Sequence, residues 1–340
     1  MIQLGKWALV RDHFKAVAVP AFAQISGGRT SAMMAALCSP DVRLVFENTG
    51  REHPKTLEFL ARLQDGLCRE VTWLEFRGPA RHGAPPREFL WEVVNFDTAS
   101  RDGTPFRTML ECIAAYRETK GLGPISPWAR SRICTVYLKR RMAERWIASQ
   151  GIDTYDSLLG LRYDEPKRVH SLAGQATQAH GFRAPLFDAK ITKPDVLAFW
   201  SAQPFDLELE EHQGNCTGCF LKDQSDLARV LQEPETDAAW WKAIEIDFPS
   251  FGGRDFAGYA QLEGEGELRE EIRAALRQGQ EPALDEWDTC VDARRFGLIV
   301  RQERRRISDG ASQFSCACES TFADDDRLDG QMELRIPYGA

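Results

Sequence analysis

A short polar loop near the start of the chain carries residues that can bind phosphate. It lies between the apolar segment 21–25 and an Ala/Met/Leu-rich segment at 32–37, and it comprises Ser26, Gly27, Gly28, Arg29, Thr30 and Ser31. Two adjacent glycines let the backbone approach an anion, and the first N–H groups of a following helix add donors and partial positive charge. The pattern predicts a strand, a phosphate-binding loop and a helix, although a plain strand-to-helix turn has the same residues.

A second polar turn follows the next apolar segment. It contains Asn48, Thr49 and Gly50, and Pro54 stands where a helix would begin. The side chains of Asn48, Thr49 and Glu52 could bind a ligand at the end of a strand. They could equally build the turn and cap the helix.

A basic segment in the middle of the chain contains Arg132, Cys134 and Lys139. Arg132 and Lys139 are seven residues apart, so a helix would place them on one face, where both could hold phosphate or sulfate oxygens. Cations beside Cys134 are expected to lower the pKa of its thiol and to favour the thiolate, which binds metals.

A charged turn at 160–168 follows another predicted strand. Arg162 and Arg168 are candidate anion-binding residues, and Asp164 and Glu165 are candidates for Mg²⁺ or for a ribose hydroxyl. An exposed charged turn without any ligand is the alternative.

The nine cysteines are unevenly distributed, which favours metal ligation or redox chemistry over a disulfide framework. Cys216 and Cys219 form a Cys-x-x-Cys motif flanked by glycines, and two ligands do not complete a metal site. Cys134, Cys316 and Cys318 are the natural partners. Such a set suits an iron–sulfur cluster or a structural zinc ion, and a redox disulfide is a third interpretation.

Composition indicates a folded protein. Apolar residues make up 43% and charged residues 28% of the 340 residues, and no apolar run is long enough to cross a membrane. The charges at Lys6, Arg11, Asp12 and Lys15 do not fit a secretory signal peptide, so a cytoplasmic protein is expected. The net charge of −8 disfavours general attraction to nucleic acid, although basic clusters occur locally.

Short apolar segments alternate with helical periodicity up to about residue 200, which is typical of a parallel sheet with crossover helices. We predict strands at 21–25, 43–46, 70–76 and 157–161. We predict helices at 30–37, 54–64, 106–119, 135–150 and 193–202. Residues 78–105 are rich in loop-forming residues, and beyond about residue 224 the pattern is mainly helical. The predicted domains are 1–223, with α/β architecture, and 224–340.

Taken in order, these motifs resemble the phosphoadenosine phosphosulfate reductase family, in its phage and bacterial reductase-like branch. The resemblance covers about residues 21–223 and includes the Gly-Asn-Cys-x-x-Cys-Phe-Leu-Lys segment from Gly214 to Lys222. It implies an adenine nucleotide α-hydrolase-like fold, which is an open, mostly parallel sheet of five strands with helices on both faces. It also implies an adenine nucleotide, ATP or a phosphosulfate, with phosphates over Ser26 to Ser31.

The resemblance leads to an expected enzyme of sulfur chemistry. The leading hypothesis is activation of an acceptor at the α-phosphate of ATP, with release of pyrophosphate and a later sulfur-transfer step. Expected partners are a sulfur donor or a thiol reductant protein and an unidentified acceptor, with nucleic acid among the candidates. A thiol-dependent sulfonucleotide reductase and a noncatalytic nucleotide-binding module with structural zinc are the alternatives.

Overall fold

The structure, a computed structural model, describes residues 1–122, 133–173, 176–177, 179–248, 258–284 and 291–309. Contacts between Cα atoms divide the chain into two compact units. The described residues up to 208 form the first unit, and those from 209 onward form the second. The domain boundary at 223 stays a prediction, and in the structure Cys216 and Cys219 belong to the second unit.

The first unit contains a six-stranded sheet. Its strands are β1 (Ala21–Ile25), β2 (Val42–Asn48), β3 (Val71–Pro79), β4 (Phe89–Val94), β5 (Tyr155–Leu159) and β6 (His180–Arg183). Their order across the sheet is β4-β3-β2-β1-β5-β6, and every neighbouring pair is parallel except β3 and β4. The expectation of an open, mostly parallel α/β sheet is confirmed.

The predicted number of five strands is wrong. The additional strand is β4, which lies within the segment 78–105 and pairs with the outer edge of β3. The glycines and prolines of this segment favoured a loop prediction. Strand β6 was also missed, because its four residues, His180 to Arg183, carry no apolar alternation. Predicted strand 157–161 begins and ends two residues late relative to β5.

Helices connect the strands of the first unit. They are α1 (Arg29–Leu37), α2 (Pro54–Leu67), α3 (Thr104–Thr119), α4 (Arg141–Ser149), α5 (Pro166–Ala173), α6 (Pro185–Asp188) and α7 (Lys193–Ser201). A π-helical turn at Thr135–Arg140 leads into α4, so the predicted helix 135–150 is helical with a local widening. Short 3-10 segments lie at Gly5–Phe14 and Pro86–Glu88.

The core of the first unit forms around the central strands. Phe22, Phe46 and Trp73 are buried on β1, β2 and β3, and Trp73 packs edge-on against Phe46 with ring centroids 4.9 Å apart. Near-continuous burial along β2 is expected for a central parallel strand covered on both faces. The rigid centre of the sheet therefore fixes the loops that follow β1, β2 and β5.

The second unit is helical in its described part. It contains α8 (Gln224–Val230), α9 (Ala238–Asp247), α10 (Tyr259–Gly264), α11 (Gly266–Arg277) and α12 (Ala293–Asp309), with a 3-10 turn at Pro234–Thr236. The predicted helical character of the C-terminal region is confirmed for these residues. Among the helices that the structure describes in either unit, none combines the length and apolarity needed to span a bilayer.

Candidate functional site

The loop after β1 is a tight turn into α1. Gly27 has a φ of +83°, and a Cβ atom added there would lie 2.3 Å from Thr56 Cγ2. Gly28 occupies the N-cap position of α1 without a side-chain cap. The hydroxyl of Ser31 instead accepts from the Ser26 N–H at 3.1 Å and donates to the Gly28 carbonyl at 3.1 Å. Ser26 and Ser31 thus shape the loop, and no side chain caps the N-terminus of α1.

The loop after β5 lies directly against the start of α1. A Cβ atom at Gly160 would be 2.9 Å from Ser31 Cα, so only glycine permits this approach. Two residues further on, the buried Arg162 donates from Nη1 to the Thr30 hydroxyl at 3.3 Å. These contacts bring Thr30 and Arg162, which the sequence proposes as ligand-binding residues, to one place.

Strands β1 and β5 are adjacent, but they lead in opposite directions across the sheet. The chain proceeds from β1 outward through β2 and β3, and from β5 outward to β6. In open α/β sheets such a reversal leaves a crevice at the carboxyl ends of the two strands, and ligands bind there. The loop after β1 and the loop after β5 border this crevice.

Other predicted residues near the crevice already have protein partners. Arg29 Nε donates to Asp206 Oδ1 at 2.7 Å, and its Nη2 contacts the Leu207 carbonyl. This side chain therefore connects α1 to the segment after α7, and the sequence contained no indication of that contact.

The two acidic residues proposed for Mg²⁺ are paired with arginines. Asp164 Oδ1 accepts from Arg162 Nε at 3.0 Å, and Glu165 contacts both Arg162 and Arg168. Glu165 also accepts from the backbone N–H of Arg162 at 3.0 Å. In this arrangement the carboxylates position Arg162 and Arg168, while Mg²⁺ binding by Asp164 or Glu165 stays a prediction.

The turn after β2 is buried and internally bonded. Asn48 donates to the Glu75 carboxylate at 2.5 Å and to the Ser100 carbonyl at 2.9 Å, and Thr49 donates to Glu52 at 2.8 Å. Gly50 has a φ of +79°, which favours glycine at this position. Asn48 and Thr49 therefore build the turn, while ligand binding by either stays a prediction.

Buried ionisable groups surround Lys139, which lies in the π-helical turn. Burial raises the pKa of Glu47 to about 8, and it also raises the pKa of Glu52, while the charge of Lys139 lowers both. A carboxyl group with such a pKa exchanges a proton near neutral pH. The charge of Lys139 thus favours the ionised form of two buried carboxyl groups.

The prediction of a lowered pKa for Cys134 is wrong. Burial raises the pKa of this thiol, and the charge of Lys139 offsets the effect only in part. The free energy lost when a thiolate is removed from water exceeds the free energy gained from its attraction to one neighbouring cation.

Two buried polar atoms that sequence reasoning missed have no hydrogen-bond partner within the described residues. They are Glu47 Oε1, at the end of β2, and Thr56 Oγ1, in the first turn of α2. Buried polar atoms are nearly always bonded, so both atoms could meet a ligand. The available signal was a carboxylate, Glu47, directly after the apolar run from Leu44 to Phe46 in β2.

The metal-ligand set is only partly described. Cys216 and Cys219 of the second unit and Cys134 of the first form no disulfide bond with another described residue. Among the described residues, no group of three or more Cys, His, Asp or Glu side chains could hold a metal ion. Arg132, Cys316 and Cys318 lie outside the described residues, so the cluster stays a prediction.

The amino-acid sequence is similar to that of a phage protein. The chain is 31% identical over 217 residues to the uncharacterized nin region protein ORF290 of Escherichia phage lambda. The aligned region covers 62% of this chain and 69% of the phage protein. The chain belongs to the family of this ORF290 protein. No protein-family model matches the chain. Because ORF290 is uncharacterized, family membership assigns no activity to this chain.

Proposed function

We propose that the first unit binds an adenine nucleotide in the crevice between β1 and β5, with the phosphates over Ser26 to Ser31. The reversal of strand order at this crevice carries the proposal, because a glycine loop borders it on one side and a buried arginine on the other. The N-terminus of α1, without a side-chain cap, would contribute N–H donors and the positive end of the helix dipole.

The resemblance to the phosphoadenosine phosphosulfate reductase family supports adenine as the base and sulfur chemistry as the role. In the proposed reaction, an acceptor oxygen forms a bond to the α-phosphorus of ATP. The bond from that phosphorus to the bridging oxygen breaks, and pyrophosphate leaves with the electron pair. Hydrosulfide supplied by a sulfur donor then forms a bond to the activated carbon of the acceptor, the bond from that carbon to the oxygen breaks, and AMP leaves with the oxygen and the electron pair.

The residues near the crevice have separate proposed roles in this reaction. Arg162 would offset negative charge on the phosphates, and Asp164 and Glu165 would position it. Lys139 would add a second positive charge, and Glu47 would accept or return a proton near neutral pH. The described cysteines do not fit a complete metal site, and no step here passes through a metal ion or a cluster.

Calorimetric titration with ATP and with phosphoadenosine phosphosulfate tests this proposal. We expect one nucleotide per chain to bind. With an acceptor present, pyrophosphate release from ATP would support α-phosphate activation, whereas sulfite release from the phosphosulfate would support the reductase alternative. Absence of binding by either nucleotide would contradict the proposed function.

A further inference from the structure

The second unit contains a cavity whose charge is predominantly positive. It has a volume of about 220 Å³ and is lined by four arginines, Arg229, Arg273, Arg277 and Arg306. His212 and Asp226 also line it. All these residues belong to the second unit, so the cavity is separate from the proposed nucleotide site.

A buried network fixes one of the arginines at the cavity. The side chain of Arg273 is only 6% exposed, and it donates from Nη2 to Glu303 at 2.8 Å and to the Ser225 hydroxyl at 2.9 Å. Arg269 shares the carboxylate of Glu303 at 3.0 Å. Burying several charges costs free energy unless their geometry is fixed, so Arg273 has a preset position and needs no reorganisation.

The acidic groups at the cavity only partly offset its positive charge. Both oxygens of Asp226 contact Arg306, at 3.1 Å and 2.9 Å. Arg229 lies 3.6 Å from Glu270, which also pairs with Arg273. Arg277 is exposed, and within the described part of the chain no carboxylate pairs with it. Arginine forks match the oxygens of a phosphate group, and Arg277 and Arg229 are accessible to one.

The size of the cavity restricts the ligand. Its volume of about 220 Å³ is below the roughly 300–1,000 Å³ of pockets that enclose larger organic ligands. The protein has a net charge of −8, which opposes attraction of a long polyanion. A small anion with concentrated charge satisfies both conditions.

We propose that this arginine-lined cavity binds a small phosphate anion, inorganic phosphate or pyrophosphate. The site is independent of the proposed nucleotide crevice. If pyrophosphate is a product of this protein, the cavity gives that product a second place to bind, but the binding itself does not depend on that reaction.

Equilibrium dialysis of the full chain with radiolabelled phosphate and pyrophosphate tests the proposal. We expect saturable binding by the wild type and at least about tenfold weaker binding by Arg277→Ala and Arg229→Ala, the change that 1.4 kcal/mol of lost interaction produces. The matched control, Arg294→Ala, removes another exposed positive charge, from α12 outside the cavity, and should bind like the wild type. Circular dichroism checks that each variant folds.

Other outcomes would overturn the proposal. Absence of saturable binding would do so, and so would equal weakening of binding by Arg294→Ala. Loss of binding in Gly27→Ala together with normal binding in Arg277→Ala would also do so, because it would assign the anion to the loop of the first unit. Binding of a single-stranded oligonucleotide without binding of phosphate or pyrophosphate would indicate a polynucleotide surface instead. The affinity for ATP should stay normal in Arg277→Ala. A failure of anion binding at the cavity can therefore be distinguished from a failure of nucleotide binding at the crevice.

Discussion

The two units differ in how completely some of their buried polar groups are bonded. In the helical second unit, the buried charges are matched: Glu303, which is fully buried, accepts from Arg269, from Arg273 and from the Ser225 hydroxyl. In the first unit, Glu47 Oε1 and Thr56 Oγ1 are buried near the carboxyl ends of the strands without a hydrogen-bond partner among the described residues.

This difference separates polar groups that stabilise a fold from polar groups available for a ligand. A buried charge with several bonded partners fixes the packing around it, and its loss should appear in stability. A buried polar atom without a partner costs free energy in the unliganded protein, so its role should appear in binding or in proton exchange. The predictions below test this distinction in each unit.

The largest effect is expected from Glu303→Gln. This substitution replaces the carboxylate shared by Arg269 and Arg273 and leaves two buried guanidinium groups with a neutral partner. Breaking a buried ion pair typically costs about 3–5 kcal/mol. Chemical denaturation of the full chain should therefore show a free energy of unfolding lower by that amount.

A surface pair provides the matched control. Glu281 pairs with Arg304, but its side chain is 79% exposed. Glu281→Gln should change the free energy of unfolding by no more than about 0.5 kcal/mol. Equal effects of the two substitutions would show that the buried network does not stabilise the second unit.

Gly27→Ala should weaken nucleotide binding by about 100-fold, equivalent to about 2.7 kcal/mol. The added methyl group would lie 2.3 Å from Thr56 Cγ2, so the loop must move away from its binding conformation. Gly151→Ala is the control, since Gly151 also has a positive φ, +72°, but nothing lies within 4 Å of the added atom. Calorimetry that finds unchanged affinity in Gly27→Ala would remove the loop from the site.

Glu47 should make stability depend on pH. Its pKa rises from an ordinary 4.5 to about 8 in the folded protein, so between these values the folded state holds a proton that the unfolded state has released. The free energy of unfolding should consequently fall as the pH rises through this window, by about 1.4 kcal/mol per pH unit.

Glu47→Gln should remove this contribution, because glutamine is neutral at every pH. Denaturation at several pH values between 5 and 8 would measure the slope, with the exposed Glu58→Gln as the control that retains it. A slope that is the same in all three proteins would show that Glu47 is ionised throughout.

The smallest effect is expected from Thr56→Val. Valine has the same shape and removes the buried hydroxyl that has no partner in the described part of the chain, so stability should rise by about 1 kcal/mol. If the hydroxyl meets a ligand, nucleotide affinity should fall in the same variant. Thr119→Val, at an exposed position, should do neither. Lower stability in Thr56→Val would show that the hydroxyl has a partner.

The sequence was sufficient to predict the central strands and the helices that follow them. β1 was predicted with its observed bounds, and Pro54 marks the first residue of α2. These elements have strong local signals, namely apolar runs and helix-start residues. β4 and β6 were missed because pairing at the two edges of the sheet determines them more than their own residues do.

The candidate site was predictable by residue type but not by contact. The sequence identifies the loop at Ser26 and the turn at Arg162, and the fold brings them together at β1 and β5. It contains no signal for the pairing of Arg29 with Asp206, which is 177 residues away. The pKa of Cys134 was predicted in the wrong direction because burial depends on tertiary packing.

Hydrogen exchange of the full chain, with and without saturating ATP, tests the central claim most directly. The account predicts slower exchange for the backbone amides of residues 26–31 and 160–165, with little change in α11 and α12. Saturable ATP binding that leaves both loops unprotected would place the nucleotide elsewhere and contradict the account.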